Sequence, residues 1–431
     1  MGCRIALLFG ALFFAIPITA RNIAARKATA RVPPLLAPNC RNVQIPLGNI
    51  TAYNIDFRSA LSGLNFTDPE AVMDVFDSCL DPDTFIDPYD YEIIQPVVER
   101  NVTIHGIFCE PEVPVPPKER QIHFLVHDIT YDKLMWHGLG VLEYSLADAM
   151  ASGLKGSYTL AIDLWGHGDS HGATYPDPWQ VLQPPFHVEV LHEVVKKLRQ
   201  NERGLWKAFK NVTYVGHGFG AQLGALLLKG YPKDADVFVG SGLPTASNEI
   251  KPFPKEWNLV PAAATVPKYA RQPLGYFAGD VDDNANTARQ NTLYGGYFEE
   301  GLAFLDYIFQ DTIAAGEACW GGSYLALETV PRESDFAGQA CILAGEYDRV
   351  ACADSILSVE APECKERLRS VCKYAFPNTR SCEINVLGST GHAWMLHRMG
   401  PQAVRTIRRW SERGDSWGNL CTTLTPRRVK Y

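Results

Sequence analysis

Three short segments carry residue types whose spacing could support chemistry. The first is Val215-Gly216-His217-Gly218-Phe219-Gly220-Ala221, where an apolar run passes through glycines into an apolar helical run. A turn of this kind sets its central residue, Gly218, at a helix N-terminus. Free amides and the helix dipole there favour an anion. A phosphate loop is a poor match, because no Lys-Ser/Thr pair follows, and the dinucleotide spacing G-x-G-x-x-G is absent. The second segment, Ala344-Gly345-Glu346-Tyr347-Asp348, ends an apolar run on a carboxylate, and the third places His392 after Gly391. A carboxylate that orients an imidazole makes a general-base pair. His167 and His171 in the glycine-rich stretch Asp163–Ser170 read as loop hydrogen-bonders, and His397 and Arg398 as structural. His217 is expected to point away from the turn's tip, and Ser241 to be an ordinary strand-end residue, so neither is expected to supply a nucleophile there.

These residues need a scaffold, and the hydrophobic pattern describes one. Short apolar runs at 122–126, 158–163, 212–215, 237–240, 340–344 and 383–387 alternate with helical spacing at 139–152, 188–198, 221–229 and 401–413. Continuous apolar strands alternating with helices imply a mostly parallel sheet covered on both faces. The rhythm breaks over 243–338, where prolines, aromatics and helical stretches suggest a largely helical cap over the carboxyl edge of the sheet. Tyr276, Tyr294, Tyr297 and Tyr307 there either line an apolar pocket or pack the cap. Upstream, 91–99 and 102–109 read as a hairpin turning at Arg100-Asn101. The Pro- and Asn-rich stretch from 21 to about 90 reads as loops and short helices tied down by Cys40 and Cys79.

Taken in order, the turn at 215–221, the acid at 348 and the histidine at 392 resemble the α/β-hydrolase superfamily. Its nucleophile elbow G-x-S-x-G precedes acid and histidine in that chain order. The loop Asp163-Leu164-Trp165-Gly166-His167-Gly168-Asp169-Ser170 is similar to the family's D-x-x-G-x-G-x-S loop. The likeness covers about residues 104–413 and looks closest to fungal-type secreted members. It implies an α/β fold with a mostly parallel hydrolase sheet, helices on both faces and an inserted cap. It also implies His392 as base, Asp348 as its orienter and position 218 as the nucleophile. The oxyanion donors would be the amide of Phe219 and one in the loop after the first parallel strand. Two departures stand out. Gly218 occupies the serine position, and the loop that begins His-Gly in the family reads His127-Asp128-Ile129. A glycine offers no nucleophile, so no acyl-enzyme forms there, and an inward carboxylate at Asp128 would repel an oxyanion.

The organisation that follows is a signal peptide at 1–20, an N-terminal extension at 21–90, a hydrolase core at 91–242 and 339–431, and the cap at 243–338. The basic start, apolar run and small-residue exit of the first 20 residues point to secretion, with an uncleaved signal anchor as the alternative. No later segment reads as a membrane span. The chain has 11 cysteines, and losing Cys3 with the signal leaves an even number able to pair in an oxidising compartment. The sequons at Asn49, Asn65, Asn101 and Asn211 permit glycosylation, least convincingly at Asn211, which abuts a buried strand. A net charge of −8 gives no basic excess to neutralise phosphates, so nucleic acid is not an expected partner. No cofactor or metal is expected, since no C-x-x-C or neighbouring histidine pair accompanies the clustered cysteines.

Three functions stay open: a His392–Asp348 general-base enzyme acting on a small, apolar organic substrate, by hydrolysis, lyase or cyclase chemistry; a catalytically silent binding protein on the same fold; and an ordinary serine esterase or lipase-like hydrolase, were Gly218 an engineered or atypical substitution. In the first, His392→Ala abolishes activity and Gly218→Ala barely touches it.

Overall fold

The computed structural model describes residues 36–79, 97–152, 156–202, 204–243, 258–280, 283–319, 334–352 and 361–404. The signal peptide expected at 1–20 lies outside them.

An eight-stranded sheet organises these residues. Its strands are β1 (Cys40–Tyr53), β2 (Val97–Cys109), β3 (Gln121–Val126), β4 (Tyr158–Ile162), β5 (Asn211–His217), β6 (Val237–Ser241), β10 (Gln339–Gly345) and β11 (Ser381–Leu387), in the order β1-β2-β4-β3-β5-β6-β10-β11. From β4 to β11 every neighbouring pair is parallel. Strands buried on both faces need no polar alternation, and β3 is buried at every position from Ile122 to Val126. Helices α3 (Pro184–Leu198) and α4 (Phe219–Gly230) place Phe186, Val190, Val194, Leu223 and Leu227 into one apolar core with Phe124, Val126 and Tyr214. Lysines close the last turn of α3, where cations favour the helix dipole.

The expected hairpin at 91–109 is not formed within the described residues. Arg100 and Asn101 lie inside the continuous strand β2, which pairs antiparallel with β1 along its whole length. Residues 40–53, expected as loop, are therefore the edge strand. The physical reason is exposure: Glu99, Arg100 and Asn101 face solvent, so polar residues there interrupt the apolar pattern without interrupting the strand. The helical spacing at 139–152 yields a helix, α2, over Leu146–Ala151, preceded by tight 3-10 turns. After His392 the chain makes one 3-10 turn, Trp394–Leu396.

Between β6 and β10 the chain builds a small antiparallel sheet from β7 (Leu259–Pro261), β8 (Tyr276–Gly279) and β9 (Ile313–Ala314). With it come the helices α5 (Asp283–Leu293), α6 (Glu300–Phe309) and α7 (Ala315–Cys319). Arg289 of α5 makes a buried two-pronged ion pair with Asp306 of α6, at 3.0 Å on each prong. Of the four tyrosines singled out, Tyr276 and Tyr294 are buried and packed, and Tyr307 donates to the carbonyl of Asp280. Tyr297 is exposed. Disulfides Cys40–Cys109, Cys79–Cys319, Cys352–Cys364 and Cys372–Cys382 are formed, and Cys341 is also disulfide-bonded. The second of these ties α1 (Pro69–Cys79) to α7. All four sequon asparagines are exposed, Asn211 included, and Asn49 lies directly opposite Asn101 in the β1–β2 register. No helix among the described residues is long and apolar enough to cross a membrane.

Candidate active site

The turn between β5 and α4 has Gly218 at φ 50°, ψ −117°. This left-handed conformation strains any side-chain-bearing residue and suits glycine. Space matters as much as conformation. A Cβ built on Gly218 would lie 2.1 Å from both Cγ and Oδ1 of Asp128, far inside contact distance. The carboxylate of Asp128 thus stands where a serine side chain would begin.

Asp128 follows β3, and its side chain turns inward. Its Oδ1 accepts from the Phe219 amide at 2.6 Å and the Ile129 amide at 2.8 Å, and its Oδ2 lies 3.0 Å from His392 Nε2. The two amides expected as oxyanion donors therefore both exist and converge, and Asp128 itself fills the position they define. The loop is held by His127. Its Nε2 accepts from the Leu164 amide at 2.9 Å, which leaves Nδ1 as the protonated nitrogen, 2.7 Å from the carbonyl of Asp128. Burial and the nearby His167 lower the pKa of His127 to about 4, so the ring is neutral.

His392 joins Asp128 to Asp348. Its Nδ1 lies 3.0 and 3.1 Å from the two oxygens of Asp348, whose Oδ1 also accepts from the amides of Val350 and Ala351. All three side chains are almost wholly buried, with Asp128 the most exposed at 2%. Burial opposes charging His392, but the charge of Asp348 and the bonds to Asp128 and Asp348 push its pKa up to about 10. Burial likewise opposes ionising the two acids, yet His392 holds both below the ordinary carboxylate range. Position for position, the pair expected at 348 and 392 is assembled. A base at neutral pH needs a free Nε2, and that nitrogen is engaged by Asp128.

Sequence reasoning set aside two further residues that the fold brings in. The ring of His217 lies 4.5 Å from that of His392, and its Nδ1 is 3.1 Å from Ser241 Oγ. Trp394 Nε1 donates to the same hydroxyl at 2.6 Å. Burial, and then the neighbouring His392, lower the pKa of His217 to about 3. The register of β5 on β6 places His217 opposite Ser241, a pairing no local pattern announces. His397 is structural, accepting from the Gly391 amide at 2.9 Å and so fixing the turn before His392.

A family model described as "Alpha/beta hydrolase family" matches residues 124–404, from within β3 through the turn at 218, Asp348 and His392. The chain belongs to the α/β-hydrolase family. Among solved structures it is similar to a thermophilic esterase from Thermogutta terrifontis, at 12% identity and a TM-score of 0.44, covering 73% of this chain and 95% of that one. The carboxylesterase CesB from Bacillus subtilis is similar at 15% identity and a TM-score of 0.43, over 74% and 90% of the two chains. An α/β hydrolase from Novosphingobium aromaticivorans is similar at 15% identity and a TM-score of 0.44, over 73% and 95%. No curated protein matches the chain. In this α/β-hydrolase positions 128 and 218 share one place: the loop carries a carboxylate, and the turn carries no side chain where that carboxylate sits.

A second buried cluster lies behind the elbow. His167 and His187 each place Nε2 at 2.8 Å from Glu317 Oε1, joining the loop after β4, helix α3 and helix α7. Beside it, Lys133 Nζ lies 2.6 Å from Asp163 and 2.7 Å from Asp169. Among the described residues, three clusters bring enough donors together for a metal ion: Asp128, His217 and His392; His167, His187 and Glu317; and Cys40, Cys109, His137 and Asp148. The last has its two sulfurs tied up in a disulfide.

Proposed function

We propose that this protein is a secreted enzyme acting on a small organic substrate by a route with no acyl-serine, with Asp128 as the group that meets the substrate. The observation that carries this reading is the position of the Asp128 carboxylate. One oxygen sits on the two oxyanion amides and the other on His392 Nε2, directly over Gly218. In a serine hydrolase those contacts are divided between the nucleophile and the oxyanion. Here one anionic side chain takes them all, backed by His392 and Asp348. A carboxylate placed in this way can act as base or nucleophile. The disulfides and the exposed sequon asparagines support passage through an oxidising secretory compartment.

A silent binding protein is the second reading, favoured by the 2% exposure of Asp128 and its occupation of both amide donors. A screen of esters, lactones and epoxides separates the two. Turnover that falls by about 10³-fold or more in both Asp128→Asn and His392→Ala, on folded protein, supports the enzyme. Turnover unaffected by Asp128→Asn overturns the role given to Asp128, and no turnover on any class supports the binding protein.

A further inference from the structure

We propose that Asp128, His217 and His392 form a binding site for one divalent cation of the zinc class, seated over Gly218. This rests on reading the same centre as a working site, and it departs from the sequence-based expectation of no metal. Each of the three residues contributes a ligand atom, and these atoms lie within 4.8 Å of one another. All three residues are buried, and they come from three separate parts of the chain.

Three features favour a cation over a simple hydrogen-bonded cluster. His217 Nε2 is buried with no hydrogen-bond partner, a deficit that typically costs about 1–3 kcal/mol when left unmet. A metal ion bound at that lone pair removes it. Every ligand is also already oriented from behind, as metal ligands usually are. His392 Nδ1 faces Asp348, His217 Nδ1 faces Ser241 Oγ, and Asp128 Oδ1 is held by two amides. Finally, the place buries two carboxylates, Asp128 and Asp348, beside the two imidazoles, and a divalent ion supplies positive charge there. The 3.0 Å between His392 Nε2 and Asp128 Oδ2 is close to the roughly 3.3 Å separating donors on a tetrahedral zinc with bonds near 2.0–2.1 Å. An adjustment of about 1.5 Å or less brings in His217 at those bond lengths. Two nitrogens and one carboxylate oxygen suit zinc, and leave a coordination position for water or substrate.

The cluster of His167, His187 and Glu317 is the natural control, because its donor set is similar but its surroundings are not. Its Nδ1 atoms are both buried without a hydrogen-bond partner. Metal binding through Nε2 would oblige His187 Nδ1 to carry a proton with no acceptor. That cluster is better satisfied by hydrogen bonds to Glu317.

The test uses the full secreted chain, stripped with a chelator, reloaded with Zn²⁺ or Co²⁺ and dialysed. Elemental analysis should find about one zinc per chain, and Co²⁺ should give the strong visible bands of a four-coordinate site. His217→Gln should weaken retention at least tenfold and Ser241→Ala by about tenfold, whereas His187→Gln should leave it unchanged; thermal unfolding confirms that each variant is folded. Wild-type protein that retains no stoichiometric zinc overturns the proposal, and this arm stands even if a variant fails to fold. Zinc kept in His217→Gln, or lost in His187→Gln, overturns it too. Metal-free protein with full turnover removes the cation while leaving Asp128 in place. Stoichiometric zinc with turnover indifferent to Asp128→Asn removes the functional reading instead.

Discussion

Replacing Gly218 with serine should fail to restore a serine hydrolase, while the same replacement combined with Asp128→Gly should succeed. In the single variant the new Cβ would sit 2.1 Å from the Asp128 carboxyl carbon, whose oxygens are bonded to two amides and to His392. The carboxylate must leave, and a buried charge separated from its partner costs about 3–5 kcal/mol. Holding a serine at φ 50° adds about 1–3 kcal/mol. The sum, about 4–8 kcal/mol, rivals the 5–15 kcal/mol stability of a typical domain. Gly218→Ala meets the same overlap, so it should damage the protein rather than barely touch it. In the double variant the carboxylate is gone and only the backbone strain remains. The Phe219 and Ile129 amides are then vacant for an oxyanion and His392 Nε2 is free for the serine hydroxyl. Urea unfolding of the four proteins in a double-mutant cycle should give a coupling of about 3–5 kcal/mol favouring the pair. A fluorophosphonate probe should label the double variant stoichiometrically and leave Gly218→Ser alone unlabelled. Asp128→Gly alone, which has no serine at the elbow, should also stay unlabelled. Equal labelling of the single and double serine variants, or additive stabilities, would refute the steric link between the two positions.

Two further outcomes follow from the buried charges. Lys133→Met should destabilise the protein by about 3–5 kcal/mol in urea unfolding, because it leaves the fully buried Asp163 without its cation; a loss under about 1 kcal/mol, the range of an exposed pair, would show the pair to be dispensable. The second concerns pH. Burial opposes protonation of His167, but the adjacent Glu317 raises its pKa to about 9, against about 6.5 for an unfolded chain. A raised histidine pKa stabilises fully below about 6.5 and loses that contribution as pH climbs to about 9. Asp311 and Asp163 act in the same direction, so Glu317→Gln should flatten most of the slope rather than all of it. Between about pH 6.5 and 9 the wild type should lose on the order of 3 kcal/mol more than Glu317→Gln, and parallel profiles would exclude the pair as the source.

Much of the core was legible because its strands are buried on both faces. Runs such as Ile122–Val126 and Ala340–Ala344 show up without needing partners to be known. The elbow, Asp348 and His392 were legible because each ends or follows such a run. The edge pair β1–β2 was not, since its solvent face carries Glu99, Arg100 and Asn101, which look like a turn when the opposite strand is unknown. The direction of Asp128 was hidden for another reason. A carboxylate after a strand can face either way, and what draws this one inward is an amide 91 positions later, at Phe219.

That contact explains why Asp128 and Gly218 belong together. An inward Asp128 is incompatible with any side chain at 218, and an empty 218 would leave the two amides and His392 Nε2 facing a void in a buried site. Each change alone carries a cost: an overlap in one case, unsatisfied donors in the other. Together they form a closed set of bonds in which the Asp128 oxygens are met by Phe219, Ile129 and His392. Asp348 and His392, together with the unpartnered Nε2 of His217 beside them, fit a centre organised around the Asp128 carboxylate.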